Sequence, residues 1–171
     1  SVRINFDKEN FNDILALIDY LSIFNEYNNF YCYCIPIYDD NTNEEVINYK
    51  DSNYYFSKIF NKMIDNKLIK TEKYFNLKRK NSFCRATNEC SRVFDVFGNQ
   101  YKCTHLDRAH MVNTNIPNEC NSCIYLPLCQ GGCSVKDLDK DRCYIYKYCF
   151  NEVLNAIIRL RNIDARIMED K

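Results

Sequence analysis

Four cysteines fall within fourteen positions in the run Cys120-x2-Cys123-x5-Cys129-x3-Cys133, and Cys84, Cys90, Cys103 and Cys143 flank it. Thiols at x2 and x3 spacings bring neighbouring sulfurs onto one or two metals, so this stretch restricts the fold more than any periodicity does. The chain has 3 glycines, and Gly98, Gly131 and Gly132 all lie in the same region. At an ordinary usage of ~7% a chain of this length would hold ~12. Glycine is kept where backbone passes close to something, or takes positive φ, beside a sulfur. Such a pattern describes a pocket built around an inorganic cluster.

The total of 11 cysteines is odd, which counts against a closed disulfide framework. Secreted disulfide scaffolds are also usually shorter and richer in glycine. The expectation is a reduced, cytoplasmic metal or iron–sulfur protein. At 171 residues and 46% hydrophobic, the chain can bury a real core. Its 23 basic and 23 acidic residues cancel, and no half is strongly basic, so no nucleic-acid partner is expected. Apolar runs fall well short of the ~18 residues of a transmembrane helix. Asp7, Lys8, Glu9 and Asn12 break the first apolar segment, so no signal peptide and no membrane partner are expected.

The chain opens at Ser1 directly on strand-like Val2-Arg3-Ile4-Asn5-Phe6, and reads as the carboxyl-terminal portion of a longer protein. Asp7 is the expected N-cap of a helix with Phe11, Ile14, Leu15, Ile18 and Leu21 on one face. Aromatic and β-branched residues over Phe30–Ile37 predict a second strand, with Pro36 at its end. Strand, helix and strand make a βαβ unit, normally parallel. Ser52-Asn53 is the expected cap of a helix over Tyr54–Asp65 with Tyr55, Ile59 and Met63 inward. Lys67–Asn81 is a charged connector in which Lys78-Arg79-Lys80 is a solvated face, which places a boundary near residue 80. Beyond it, Arg92–Val96 and Gln100–Lys102 flank Phe97-Gly98-Asn99 as a β-hairpin. Thr104–Asn118 is irregular. Cys143 to Asn162 predicts a long helix with Tyr146, Cys149, Phe150, Val153, Ile157 and Leu160 on one side.

The eight cysteines from Cys84 to Cys143 suffice for two four-thiolate sites. The bland alternative is structural zinc, which accepts four cysteines with x2 spacings and would make the chain a zinc-stabilised interaction module without redox activity. A stand-alone ferredoxin-like electron carrier is a third reading, against which the βαβ opening argues. Cys32 and Cys34 share one strand face and read as core thiols. Cys149 falls on the helix stripe, and is the alternative to Cys143 as the last ligand. His105 and His110 read as turn or surface residues, and Tyr125 and Asp107 as packing or site residues without distinction.

The spacing also carries a family resemblance. Cys84-x13-Gly98-x4-Cys103, a gap, Cys120-x2-Cys123-x5-Cys129-x3-Cys133, a gap and Cys143 resembles the SPASM domain of radical S-adenosylmethionine (SAM) enzymes. Cys123-Ile-Tyr-Leu-Pro-Leu-Cys129-Gln-Gly-Gly-Cys133 is similar to that family's Cys-x-x-Leu-Pro-x-Cys-x-Gly-Gly-Cys segment, and Cys143-Tyr-Ile-Tyr-Lys147 to its closing Cys-x-x-Tyr-Lys. Val2-Arg3-Ile4-Asn5, Asp7, Asn10 and the two strands resemble the last units of the radical SAM partial barrel. The implied fold class is α+β: barrel-type βα units and a connecting helix over 1–80, then a SPASM domain of β-hairpin, cysteine-rich loops and C-terminal helix over 81–171.

By analogy with sulfatase maturases, the resemblance implies interleaved ligands for two auxiliary [4Fe–4S] clusters. Cys84, Cys90, Cys103 and Cys133 would hold the first, and Cys120, Cys123, Cys129 and Cys143 the second. Together they would add a charge of about −4, which Arg85, Arg92, Lys102 and Lys136 would partly offset. Asn5 is a candidate for the SAM pocket. The family's SAM-cleaving Cys-x3-Cys-x2-Cys triplet is not in this sequence: after Cys129-x3-Cys133 its third position holds Lys136. A third [4Fe–4S] cluster and SAM are therefore implied for a barrel portion outside this chain, which alone is not expected to cleave SAM. The implied activity is maturation of a peptide or protein substrate through hydrogen-atom abstraction. Ferredoxin or flavodoxin would serve as reductant, and the clusters here would relay electrons or position the peptide.

Overall fold

The structure is a computed structural model that describes residues 1–37, 44–103, 116–133, 143 and 145–169. Mixed helices and two small sheets give it an α+β composition. Two compact units divide it: residues 1–76 with 148–171, and residues 77–147.

In the first unit, β1 (Val2–Phe6) and β2 (Cys32–Pro36) form a two-stranded parallel sheet in which Ile4 faces Cys34 across the ladder. The βαβ expectation holds. Ile4 and Phe6 of β1, with Cys32, Cys34 and Pro36 of β2, are buried, while Arg3 and Asn5 are exposed. Between the strands lies α1 (Phe11–Leu21), burying Phe11, Ile14, Ile18 and Leu21; Leu15 is only half-buried. Asp7 does not cap this helix: Asn10 is the N-cap residue. Asp7 and Asn10 instead close a turn on each other. The Asn10 amide donates to Asp7 Oδ1 at 2.9 Å and the Asp7 amide donates to Asn10 Oδ1 at 3.1 Å. This turn consumes the residues that would have formed the first helical turn.

The second helix, α2 (Ser52–Asp65), starts two residues earlier than expected, because a 3-10 turn at Tyr49–Asp51 feeds directly into it. Ser52 is its first residue rather than its cap, and is fully buried. Phe56, Ile59, Phe60, Met63 and Ile64 carry the buried face, and Tyr55 is half-buried, edge-on to Phe11 at 4.8 Å. The helix ends in a Schellman closure: the Leu68 amide donates to the Met63 carbonyl at 2.8 Å and the Lys67 amide to Ile64 at 2.9 Å. Lys67 takes φ 56° there, a left-handed position that glycine usually fills.

The charged connector is partly core. Leu68, Ile69 and Phe75 are buried, and Phe75 meets Phe60 edge-on at 5.0 Å. This burial, not the charge, holds the chain in the first unit as far as Asn76. The last helix, α4 (Phe150–Glu169), also belongs there rather than with the cysteine-rich residues, and packs on α2. Cys149, Val153, Ala156 and Leu160 form its buried stripe; Phe150 and Ile157 are half-buried beside it. It begins at Phe150, not Cys143, because Ile145–Lys147 forms a separate 3-10 turn. Among the described residues no helix is long and apolar enough to cross a membrane.

In the second unit, β3 (Val93–Phe94) and β4 (Gln100–Tyr101) pair antiparallel, a shorter form of the expected hairpin. Asp95 organises its turn, accepting from the Phe97 and Asn99 amides at 2.9 Å each and from Asn99 Nδ2 at 2.8 Å. These bonds, that from the Asn99 side chain foremost, hold the Asp95 carboxyl below its usual range. A one-turn helix, α3 (Leu126–Cys129), lies within the cysteine run, and the Lys80 amide donates to its Pro127 carbonyl at 2.9 Å.

Candidate metal centre

All eleven cysteines are described, and every one is a thiol rather than a disulfide. They divide cleanly between the units. Cys32, Cys34 and Cys149 belong to the first, at 1%, 5% and 0% exposure. The other eight belong to the second, where Cys129 is buried, Cys90 is exposed and the remaining six are half-buried.

Burial pushes the Cys32 thiol up to about 11. Burial, with Cys32 beside it, pushes Cys34 up to about 12. Cys149 is also pushed up to about 12 by burial, and then by the Glu152 carboxylate. Neutral thiols packed in this way are poor metal ligands, because the thiolate is the binding form. The two candidates for the last ligand are thus separated: Cys143 lies in the unit with the other seven thiols, and Cys149 lies in the α4 stripe.

Residues 117–133 are a ladder of tight turns with a cysteine at most of the junctions. The Cys120 amide donates to Pro117 at 2.9 Å, Cys123 to Cys120 at 3.0 Å, Leu126 to Cys123 at 3.0 Å and Cys129 to Tyr125 at 3.1 Å. Each turn shortens the span between consecutive sulfur-bearing positions. After Cys129 the chain takes positive φ at three residues in succession: Gln130 at 50°, Gly131 at 84° and Gly132 at 75°. Gly131 is favoured on two grounds, its φ of 84° and the tight 3.3 Å that a Cβ on it would make with Pro117 Cδ. The turn between Cys129 and Cys133 therefore rests against the residues leading into Cys120.

Cys84 is extended, at φ −145°, and its carbonyl accepts from Thr87 Oγ1 at 2.7 Å, opening a 3-10 turn. The Cys90 amide donates to Asn88 Oδ1 at 2.9 Å. Arg92 and Lys102 fasten this loop by donating to backbone carbonyls: Arg92 to Glu89 and, at 2.7 Å, to Ser91, and Lys102 to Asn88 at 3.1 Å and Glu89 at 2.6 Å. Arg85 is exposed. Cys103 stands two residues after the end of β4. Near Cys143, the Lys147 ammonium donates to the sulfur at 3.6 Å. Sequence reasoning did not single out this contact, although Lys147 stands four residues after the cysteine and on a turn that brings the two together.

In chemistry and number the donor set suits two four-thiolate sites. In position, the local turns are built, but among the described residues no three Cys, His, Asp or Glu side chains converge as a metal site. Asn5 stands on the exposed face of β1, and its Oδ1 accepts from Arg3 Nε at 2.9 Å. Tyr125 is half-buried at the start of α3. His105, Asp107, His110 and Lys136 lie outside the described residues.

No protein-family model, curated protein or solved structure matches this chain.

Proposed function

We propose that the 77–147 unit is an iron–sulfur module of a radical SAM/SPASM-type peptide or protein maturase. Cys84, Cys90, Cys103 and Cys133 are the ligands of one [4Fe–4S] cluster, and Cys120, Cys123, Cys129 and Cys143 those of another. One observation carries the reading. Among the described residues of this unit, Ala86 and Cys129 are the buried apolar side chains, while seven further cysteines sit half-buried or exposed. A thiol kept for packing is among the most buried of residues, as Cys32, Cys34 and Cys149 are. A segment with so little apolar burial needs another source of cohesion, and in a chain of thiols metal ligation supplies it.

Bound clusters would supply one-electron transfer at low potential. The chain's own part is to present deprotonated sulfur from fixed turns, to carry members of both ligand sets on the Cys120–Cys133 segment and to set the local charge. Full ligation of both sites suits an electron relay. The finer fold reading is that β1, α1 and β2 are the last βα portion of the SAM-binding barrel and that the cysteine-rich unit is the SPASM domain. A peptide substrate, the remaining barrel with its own cluster and SAM, and a ferredoxin- or flavodoxin-type reductant complete the system.

Anaerobic reconstitution of the full chain with iron and sulfide tests this. The expected product is brown, absorbs near ~400 nm and binds about eight iron per chain, four for each cluster. A colourless protein with about two zinc, taken up in preference to iron, overturns it and leaves a zinc-stabilised interaction module.

A further inference from the structure

Lys147 is the third residue of the Ile145–Lys147 3-10 turn, and its side chain reaches back to Cys143 Sγ at 3.6 Å. An ammonium on a candidate ligand sulfur differs from Arg92 and Lys102 in what it touches. Arg92 and Lys102 donate to backbone carbonyls of the loop around Cys90, and so act on that loop's shape. Lys147 faces the donor atom itself.

We propose that Lys147 is a positioning residue that sets the reduction potential of the cluster ligated by Cys143. The inference rests on the reading above, in which Cys143 is a ligand. Hydrogen bonds to ligand sulfur and nearby positive charge favour the more negative, reduced state of an iron–sulfur cluster. A lysine ammonium is a compact point charge, so its influence is concentrated on the atom that it touches. Lys147 is exposed, and solvent and salt weaken its field at a distance, but a contact well inside the Debye length of about 8 Å keeps its effect. Only one of the two ligand sets contains Cys143, so the influence is selective. With Lys147 in place, the Cys143-ligated site accepts an electron more readily than the same site without it. The reduction is a one-electron step without bond making: a titanium(III) reductant gives up the electron and becomes titanium(IV), while iron, sulfide and thiolates stay joined.

Full-length wild type, Lys147→Gln, Lys147→Arg and Cys143→Ala are reconstituted with iron and sulfide under anaerobic conditions. Iron is counted, and each is titrated with titanium(III) citrate while the reduced-cluster paramagnetic resonance signal is followed. In Lys147→Gln the expected result is full iron, with one of two midpoints moved to lower potential and the other unmoved. Lys147→Arg restores most of the shift, and the signal that moves is the one that Cys143→Ala abolishes. Selective loss of about half the iron in Lys147→Gln, regained in Lys147→Arg, also supports the assignment, since it shows the ammonium holding that thiolate. Full iron with unchanged midpoints overturns the assignment while leaving the two-cluster reading intact, as does an equal shift of both. Wild type that binds two zinc and no iron overturns both.

Discussion

Arg159 and Asn61 are joined by a 2.9 Å hydrogen bond from guanidinium Nη1 to side-chain Oδ1, and the same guanidinium pairs with Asp65 one turn further along α2. Arg161 adds a 2.6 Å pair with Glu72. These contacts fix the rotation of α4 so that Val153, Ala156 and Leu160 face inward.

The polar pairs set orientation, and the apolar stripe supplies the energy. Arg159 and Asp65 are both more than one-third exposed, so Arg159→Ala should cost less than about 1 kcal/mol. Leu160 is 4% exposed, and Leu160→Ala should cost about 2–4 kcal/mol. Urea unfolding followed by helical circular dichroism measures both. Equal losses for the two variants would show that α4 is held by its charges.

Lys67 marks a place where the chain uses the wrong residue for its backbone. An L-residue in the left-handed region costs ~1–2 kcal/mol, which glycine avoids at a smaller entropic cost. Lys67→Gly should therefore raise stability by about 0.5–1 kcal/mol, read from the urea midpoint of the first unit. A lower midpoint would mean that the lysine side chain contributes more than the conformation costs.

The pH dependence of stability follows from the three buried thiols. Their folded values, about 11 for Cys32 and about 12 for Cys34 and Cys149, stand above the ordinary 9.0. Below pH ~9 folded and unfolded chains both hold these protons, and the stability is present in full. As the pH climbs from 9 toward 11–12, the unfolded chain releases them first, so stability falls by up to ~1.4 kcal/mol per pH unit and thiol. Urea unfolding at several pH values across this window gives the slope, and Cys32→Ala with Cys34→Ala should flatten it. At neutral pH the same three thiols should resist iodoacetamide in the native, metal-stripped chain while the seven half-buried or exposed thiols react. Rapid labelling of Cys34 without unfolding would contradict the burial argument.

The parallel βαβ unit was legible because Phe11, Ile14, Ile18 and Leu21 recur at helical steps between two β-branched runs. Helix starts were less so. Asp7 and Asn10 are both good caps, and their choice depends on a reciprocal turn that neither residue announces alone. Ala156 was missed in the α4 stripe because a methyl group adds little to a hydrophobic pattern even when it packs fully. Lys67 could not have been read as left-handed, since nothing in lysine favours that region. The cysteine spacing was legible, and Gly98, Gly131 and Gly132 were legible as places of positive φ or close approach: all three take positive φ, and Gly131 also lies close to Pro117, while Gly98 stands in open space. The proposed ligand sets would have to bring together residues far apart in the chain, such as Cys84 and Cys133, and no local rule encodes that; among the described residues no three such side chains converge.

The division of the last two cysteines between units makes the sharpest test of the ligand assignment. Cys143 lies with the other seven candidate ligands, half-buried and touched by Lys147. Cys149 is fully buried in the α4 stripe with its thiol proton held to about 12. A metal that took Cys149 would have to draw that proton off in an apolar setting and pull the first turn of α4 from its packing. Cys143→Ala should accordingly lose about four of about eight iron on reconstitution and leave the urea midpoint of the first unit unchanged. Cys149→Ala should keep its iron and lower that midpoint, by about 1–2 kcal/mol for a small cavity in a packed stripe. If Cys149→Ala loses the iron and Cys143→Ala retains it, the ligand set must include the helix, and the boundary between the two units no longer separates packing thiols from binding ones.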